Sequence, residues 1–241
     1  VKARGFSLLE CLIGLTISFF VICACLGFFV GAEKSFFKLR DKEEAAQNAL
    51  AALDKMRVDI LRAGQGLAGA AAAGLVEPVV EVDHGFDDGG LLVTRAEKSY
   101  VLAADVAPGD SRVALESIAN LKPGREVLIF DSGSGEVRTI SSVARGVAEV
   151  SPAIEGAYAK ETASLLLLER IGLALDSRQG VIRRRVNSSS PQPLLENAGS
   201  ARFAVDRPAN LVRVRFSLAS EGDADYELCL FPKNPALAGK G

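Results

Sequence analysis

Histidine is all but missing from this chain: His84 is the only one in 241 residues. A Ser-His-Asp arrangement could draw on that residue alone, and a histidine-rich metal centre has no ligands to gather. Cysteine is also scarce. Cys11, Cys23 and Cys25 fall within one apolar run, which leaves Cys229 without a partner in the rest of the chain. Neither a disulfide framework nor a zinc-ligand spacing is available. An excess of either charge is missing too: 28 basic and 30 acidic residues give a formal net charge of −2. That balance carries no polyanion-binding signal, so a nucleic-acid interface would need a local basic patch. No glycine-rich phosphate loop occurs. The serine in "PGDSR" stands beside an aspartate but has no nearby base.

What is present begins with the longest apolar stretch. Residues 6–30, "FSLLECLIGLTISFFVICACLGFFV", are 25 residues with one charge, Glu10. As a helix they would reach about 37 Å, enough to cross a hydrocarbon core. The run exceeds the roughly 7–15 residues of a signal-peptide apolar region. Lys2 and Arg4 precede it, so the positive-inside rule puts the short N-terminus in the cytoplasm and the bulk of the chain on the far side. A carboxylate in such a segment costs roughly 2.5–3.5 kcal/mol at mid-helix and less near an end. Its presence therefore calls for a use.

From Glu33 onward the pattern turns amphipathic. Phe36, Leu39, Ala46, Ala49, Leu50, Leu53, Met56 and Ile60 recur mostly three or four residues apart, across the charged "RDKEE". Gly64 and Gly66 are stop signals. One long helix is expected, its second half packed on a sheet. After Gly74, short β-rich runs are separated by turns such as "DSGSG" and "APGD". In "LVRVRFSLA" Val212, Val214 and Phe216 alternate with Arg213 and Arg215, as in a strand with one wet face. The expected fold is α+β: a long N-terminal helix packed on an antiparallel sheet, with a β-rich insertion at about residues 103–165. "NSSSPQP" reads as a loop.

Several clusters have a sharp and a plain explanation. Asp83, Asp87 and Asp88 beside His84 could bind calcium. They do not have EF-hand spacing, and a solvated acidic loop is the simpler expectation. Residues 131–136, "DSGSGE", are expected to form a hairpin turn before a metal loop. Arg183, Arg184 and Arg185, with Arg178 nearby, could meet phosphates. Adjacent strand residues point to opposite faces, however. Ordinary surface or interface charge is expected there.

"RGFSLLE" followed by an apolar helix resembles the N-terminus of type IV prepilins and of the pseudopilins of type II secretion. The resemblance is close over residues 4–30 and looser beyond. It implies a leader, residues 1–5, removed by a prepilin peptidase between Gly5 and Phe6. It further implies N-methylation of Phe6, and a role for Glu10 in pairing with a terminal amine and setting subunit register. "NALAALDKMRVDILRAGQGL", with Asp59, Arg62 and Gly64, resembles the helix end of PilW-type minor pilins. Residues 173–206, with "GVIRRRV" and "PLLEN", are similar to a strand pair of the same group. GspJ-type minor pseudopilins share the layout.

The implied divisions are the leader, a membrane and fibre-core helix over 6–30, an amphipathic helix over 31–66, a head over 67–232 and a tail over 233–241. The implied function is that of a minor pilin that initiates or caps a type IV pilus. The alternatives are a minor pseudopilin of type II secretion, or a tip module for adhesion or DNA uptake. The implied partners are prepilin peptidase, other minor and major pilins, the inner membrane and the assembly platform. No enzyme activity, cofactor, metal or small-molecule ligand is expected.

Overall fold

The computed structural model describes residues 8–82, 89–219 and 225–234. Among them are two helices and twelve strands. The chain divides into two compact units, Val1–Gln47 and Asn48–Gly241.

Helix α1 (Leu8–Leu61) is 54 residues long. It contains no proline, and its second half is rich in alanine, leucine, glutamate and lysine, all good helix formers. Its last turns belong to the second unit. There Ala49, Ala52, Met56, Asp59 and Ile60 are buried, at helical steps of three and four. The buried stripe differs slightly from the expected one. Leu50 is 60% exposed, while Ala52 and Asp59 are inside.

The helix stops at Leu61, a little before the glycines expected to end it. Gly64 and Gly66 then adopt φ of +69° and +74°. At Gly66 a Cβ would meet the Ala96 Cβ at 2.9 Å, so glycine is required there for space as well as for conformation. The turn is tied to the sheet: Gly64 N–H donates to Thr94 O at 2.9 Å and Ala96 N–H to Gln65 O at 2.8 Å. Asn234 Nδ2 donates to the orphan carbonyl of Ala63 at 2.9 Å. A short helix, α2 (Ala68–Ala72), follows, where only the start of the β-rich head was expected.

The larger sheet is antiparallel throughout. Strand β1 (Val79–Val82) pairs with β2 (Gly90–Val101), and β2 pairs along its length with β7 (Ser164–Asp176). Between β2 and β7 in sequence come β3 (Arg112–Ala114), β4 (Glu126–Phe130), β5 (Gly135–Ala144) and β6 (Val147–Ser151). The spatial order is β1-β2-β7-β4-β5-β6-β3. Strand β8 (Val181–Val186) also pairs with β7, and β9 (Gln192–Leu195) pairs with β8. Strand β9 begins inside the stretch expected to be a loop. A second sheet runs β10 (Ala198–Asp206), β11 (Leu211–Leu218), β12 (Asp225–Leu230). In β11 Val212, Val214, Phe216 and Leu218 are buried while Arg213 and Arg215 are exposed, the alternation expected of a half-wet sheet. The fold is α+β: a long helix whose last turns pack within an antiparallel β-rich head.

The apolar run "SLLLL" opening β7 is buried on both faces. Leu165 and Leu167 join Tyr100, Val127, Ile129 and Ile140 in one core. Leu166 and Leu168 join Leu67, Ala70, Val76 and Leu128 in another. A two-residue period on a strand sends neighbours to opposite sides, so one continuous run feeds two cores.

The first core is closed by a polar lock. Glu136 on β5 accepts the backbone N–H groups of Glu155 (3.0 Å) and Gly156 (2.9 Å). It also pairs with Arg138 and accepts the Tyr158 hydroxyl. A Cβ at Gly156 would meet the Tyr158 ring at 2.9 Å. Burial raises the Glu136 pKa, but the two amides, the hydroxyl and the guanidinium outweigh it and hold the carboxyl below its usual range. Burial first, then the Glu136 charge and hydrogen bond, push the Tyr158 phenol up to about 12. A raised pKa on an acid means stability that is complete below the unfolded value, about 10. That stability drains away as pH rises through the folded value. Thermal unfolding in detergent between about pH 10 and 12 is expected to fall more steeply for the native chain than for Tyr158→Phe. Parallel curves would show that the phenol does not carry the effect.

Candidate functional site

The first part of α1 is apolar on every side. Leu8 is 84% exposed and Phe28 is 78% exposed. None of its most apolar window is buried among the described residues. The hydroxyls along it are satisfied internally. Thr16 Oγ1 donates to Leu12 O, Ser18 Oγ to Gly14 O (both 2.8 Å) and Ser35 Oγ to Gly31 O (3.0 Å). Such back-bonding leaves no hydroxyl donor for an apolar medium to strand. By length and composition this helix can cross a membrane.

Glu10 is the acidic residue of the first helical turn, near the positive end of the macrodipole. Gly14 and Ser18 follow at successive four-residue steps, so Glu10, Gly14 and Ser18 share one face. Small residues on a helix face let a second backbone approach closely. Gly5 and Phe6, the residues of the expected cleavage and methylation, lie outside the described residues, as does the rest of the leader. So do Asp83, His84, Asp87 and Asp88.

The other predicted positions are placed as follows. Asp131 and Ser134 exchange backbone hydrogen bonds of 2.9 and 3.2 Å, which closes the turn between β4 and β5. Asp110 in "PGDSR" accepts the Ala107 N–H at 2.8 Å, a turn contact. Cys229 is exposed on β12. Among the described residues no three ligating side chains gather as a metal site. Arg178 lies in the turn between β7 and β8.

The arginine run separates by face, as the strand geometry requires, but Arg184 is not the surface charge expected of it. Its Nε donates to Asp59 Oδ2 at 2.6 Å and its Nη2 to Asp59 Oδ1 at 3.1 Å, a fork-to-fork pair. Asp59 is only 2% exposed, and Lys55 stands 3.9 Å away. The hydrogen bond to Asp59, more than its charge, raises the Arg184 pKa against the opposing effect of burial. Arg183 turns instead to Asp176, at 2.9 Å. Arg185 borders a cleft with Arg170.

Asp59 lies in the last turn of α1, where a negative charge opposes the helix dipole. Two cations answer it. This pair fastens the helix end to β8, and the sequence reading missed it. A signal was available: Asp59 occupies a position of the buried helical stripe, three residues from Met56. Nothing in a single sequence names its partner 125 residues away.

Asp59→Ala would leave the partly buried Arg184 charge without its partner, at an expected cost of about 2–3 kcal/mol, below that of a fully buried pair, in denaturant unfolding of the chain in detergent. Asp59→Ala/Arg184→Leu should recover part of that loss. A single-mutant loss of about 0–1 kcal/mol would instead class the pair with surface bridges.

No family model and no curated protein matches the chain. A solved structure, the Gp54 tailspike of Acinetobacter baumannii bacteriophage AP22 in complex with A. baumannii capsular saccharide, is similar over 31% of this chain at 12% identity and a TM-score of 0.28. The match spans 15% of the tailspike chain. A likeness at that level bears on neither fold nor function.

Proposed function

We propose that the chain is a minor pilin of a type IV pilus, anchored by its N-terminal helix until it enters the fibre. The observation that carries this reading is an apolar helix segment, unburied among the described residues, with a single carboxylate in its first turn. So much exposed apolar surface needs lipid or other helices around it. A carboxylate is tolerable there only if it finds a partner.

The residues just before the helix supply one. Cleavage between Gly5 and Phe6 creates an amine four residues, about one turn, from Glu10. Glu10 of one subunit then meets the terminal amine of a neighbour. A desolvated pair of that kind favours one registry over its alternatives. Gly14 and Ser18 on the same face allow the approach. The partners in this reading are prepilin peptidase, the other pilins and the assembly platform in the inner membrane. A minor pseudopilin of type II secretion would use the same leader and helix.

The test is mass spectrometry of the chain co-expressed with a prepilin peptidase. The expected product begins at N-methylated Phe6. Gly5→Ala should abolish processing. Glu10→Ala should be processed but enter filaments poorly, scored by immunoblot of sheared fibres. A chain left uncut while a control prepilin is matured would defeat the proposal.

A further inference from the structure

Past the apolar run, α1 stays helical and exposed but changes chemistry. Residues 33–44, "EKSFFKLRDKEE", hold four cations and four acids. They are not mixed evenly round the helix. Lys34, Lys38 and Lys42 follow at four-residue steps and share one face. At about 100° per residue, Glu33, Glu43 and Glu44 fall more than about 100° from Lys38, while Asp41, about 60° away, flanks the row. Arg40 lies on the far side, 5.5 Å over the Phe37 ring.

All three lysines are exposed, and none makes a salt bridge among the described residues. Like charges four residues apart weaken a helix, and this face has two such steps in succession. The row is therefore suited to an anion from outside the chain. Its place on the helix says which. Lys34, Lys38 and Lys42 lie about 6, 12 and 18 Å beyond Val30 along the helix axis. A headgroup layer is about 5–8 Å deep on each side of the hydrocarbon core. With the apolar run across a bilayer, Lys34 is level with the phosphates. Lys38 reaches back to them on its long stem, and Lys42 stays within about one Debye length of the layer. Phe36, Phe37 and Leu39 are exposed in the same turns, as apolar side chains are at the boundary of acyl chains and headgroups.

We propose that the face of Lys34, Lys38 and Lys42 binds anionic phospholipid headgroups at the bilayer surface. The inference rests on the reading of α1 as a membrane-crossing helix and not on assembly into a pilus. An ammonium is a compact point charge on a flexible stem, which suits phosphates at varying depth and needs no fixed fork geometry. Anionic lipid beside the row offsets the repulsion along it. Lipid fits better than an acidic protein segment, because the face continues directly from a span whose exposed apolar surface lipid covers.

The test is electron spin resonance of the full chain in phosphatidylcholine vesicles, with spin-labelled phosphatidylglycerol or spin-labelled phosphatidylcholine as probe. The chain is expected to immobilise phosphatidylglycerol at least about twofold more strongly than phosphatidylcholine, and salt at about 1 M should reduce that preference. Lys34→Gln/Lys38→Gln/Lys42→Gln should remove at least about half of it. Glutamine is a good helix former and the change relieves the repulsion, so the helix is kept. Lys122→Gln/Lys160→Gln/Lys233→Gln takes the same charge from exposed positions of the head and should leave the preference unchanged. No preference in the native chain, a smaller loss in the first variant, equal loss in both variants, or indifference to salt would overturn the proposal. Retention of the chain in the vesicles through an alkaline carbonate wash is scored alongside. Loss from the vesicles would overturn the membrane anchor and the lipid site together, whereas a retained chain without preference would overturn the lipid site alone.

Discussion

The ion pair of Asp59 with Arg184 joins the last turn of α1 to β8, and much of the head is arranged around that contact. Asp59 is buried and Arg184 partly so, and the pair is bidentate and reinforced by Lys55. It puts a carboxylate at the wrong end of a helix dipole, which is tolerable only because cations surround it. It also sets the register of β8 against β7, since Arg184 stands opposite Leu173. On the same edge of β7, β8 pairs with Ile171–Asp176 and β4 with Ser164–Leu167. A hydrophobic pair of the same size would pack as well but would tolerate sliding; a forked ion pair favours one alignment.

The same economy of polar groups runs through the rest of the head. Between those two partners of β7, Arg125 donates to Leu168 O and Asn187 accepts the Arg170 N–H, backbone bonding that a neighbouring strand would otherwise supply. In the β3–β6 region Glu136 collects two amides, a phenol and a guanidinium around one carboxylate. Buried polar groups are costly when unpaired and specific when paired. Each of these clusters ties segments that the chain brings together from far apart.

The N-terminal unit follows a different rule. Its helix buries none of its most apolar window within the described structure. Its hydroxyls bond to its own carbonyls. In the proposed pilin role, lipid first and neighbouring helices later cover that surface. Glu10 is the exception within it, and the proposed amine partner gives that exception a purpose.

How much was legible in advance depends on whether the signal was local. Helix α1, the apolar segment and Glu10 within it were readable from Phe6 to Ile60, because composition and helical period act over a few residues. The alternation in β11 was readable for the same reason. The α+β class followed from those two patterns together. The sequence by itself also determined that the leader-like "RGFSLLE" precedes the apolar run. The tertiary structure alone decided that Arg184, one of three adjacent arginines, turns inward to Asp59 while Arg185 faces a cleft. It alone decided that Leu165 and Leu166 enter different cores. Those outcomes depend on which strand lies beside which across more than a hundred residues. Pairing at that distance is set by the packing of the whole head and leaves no local mark on the chain.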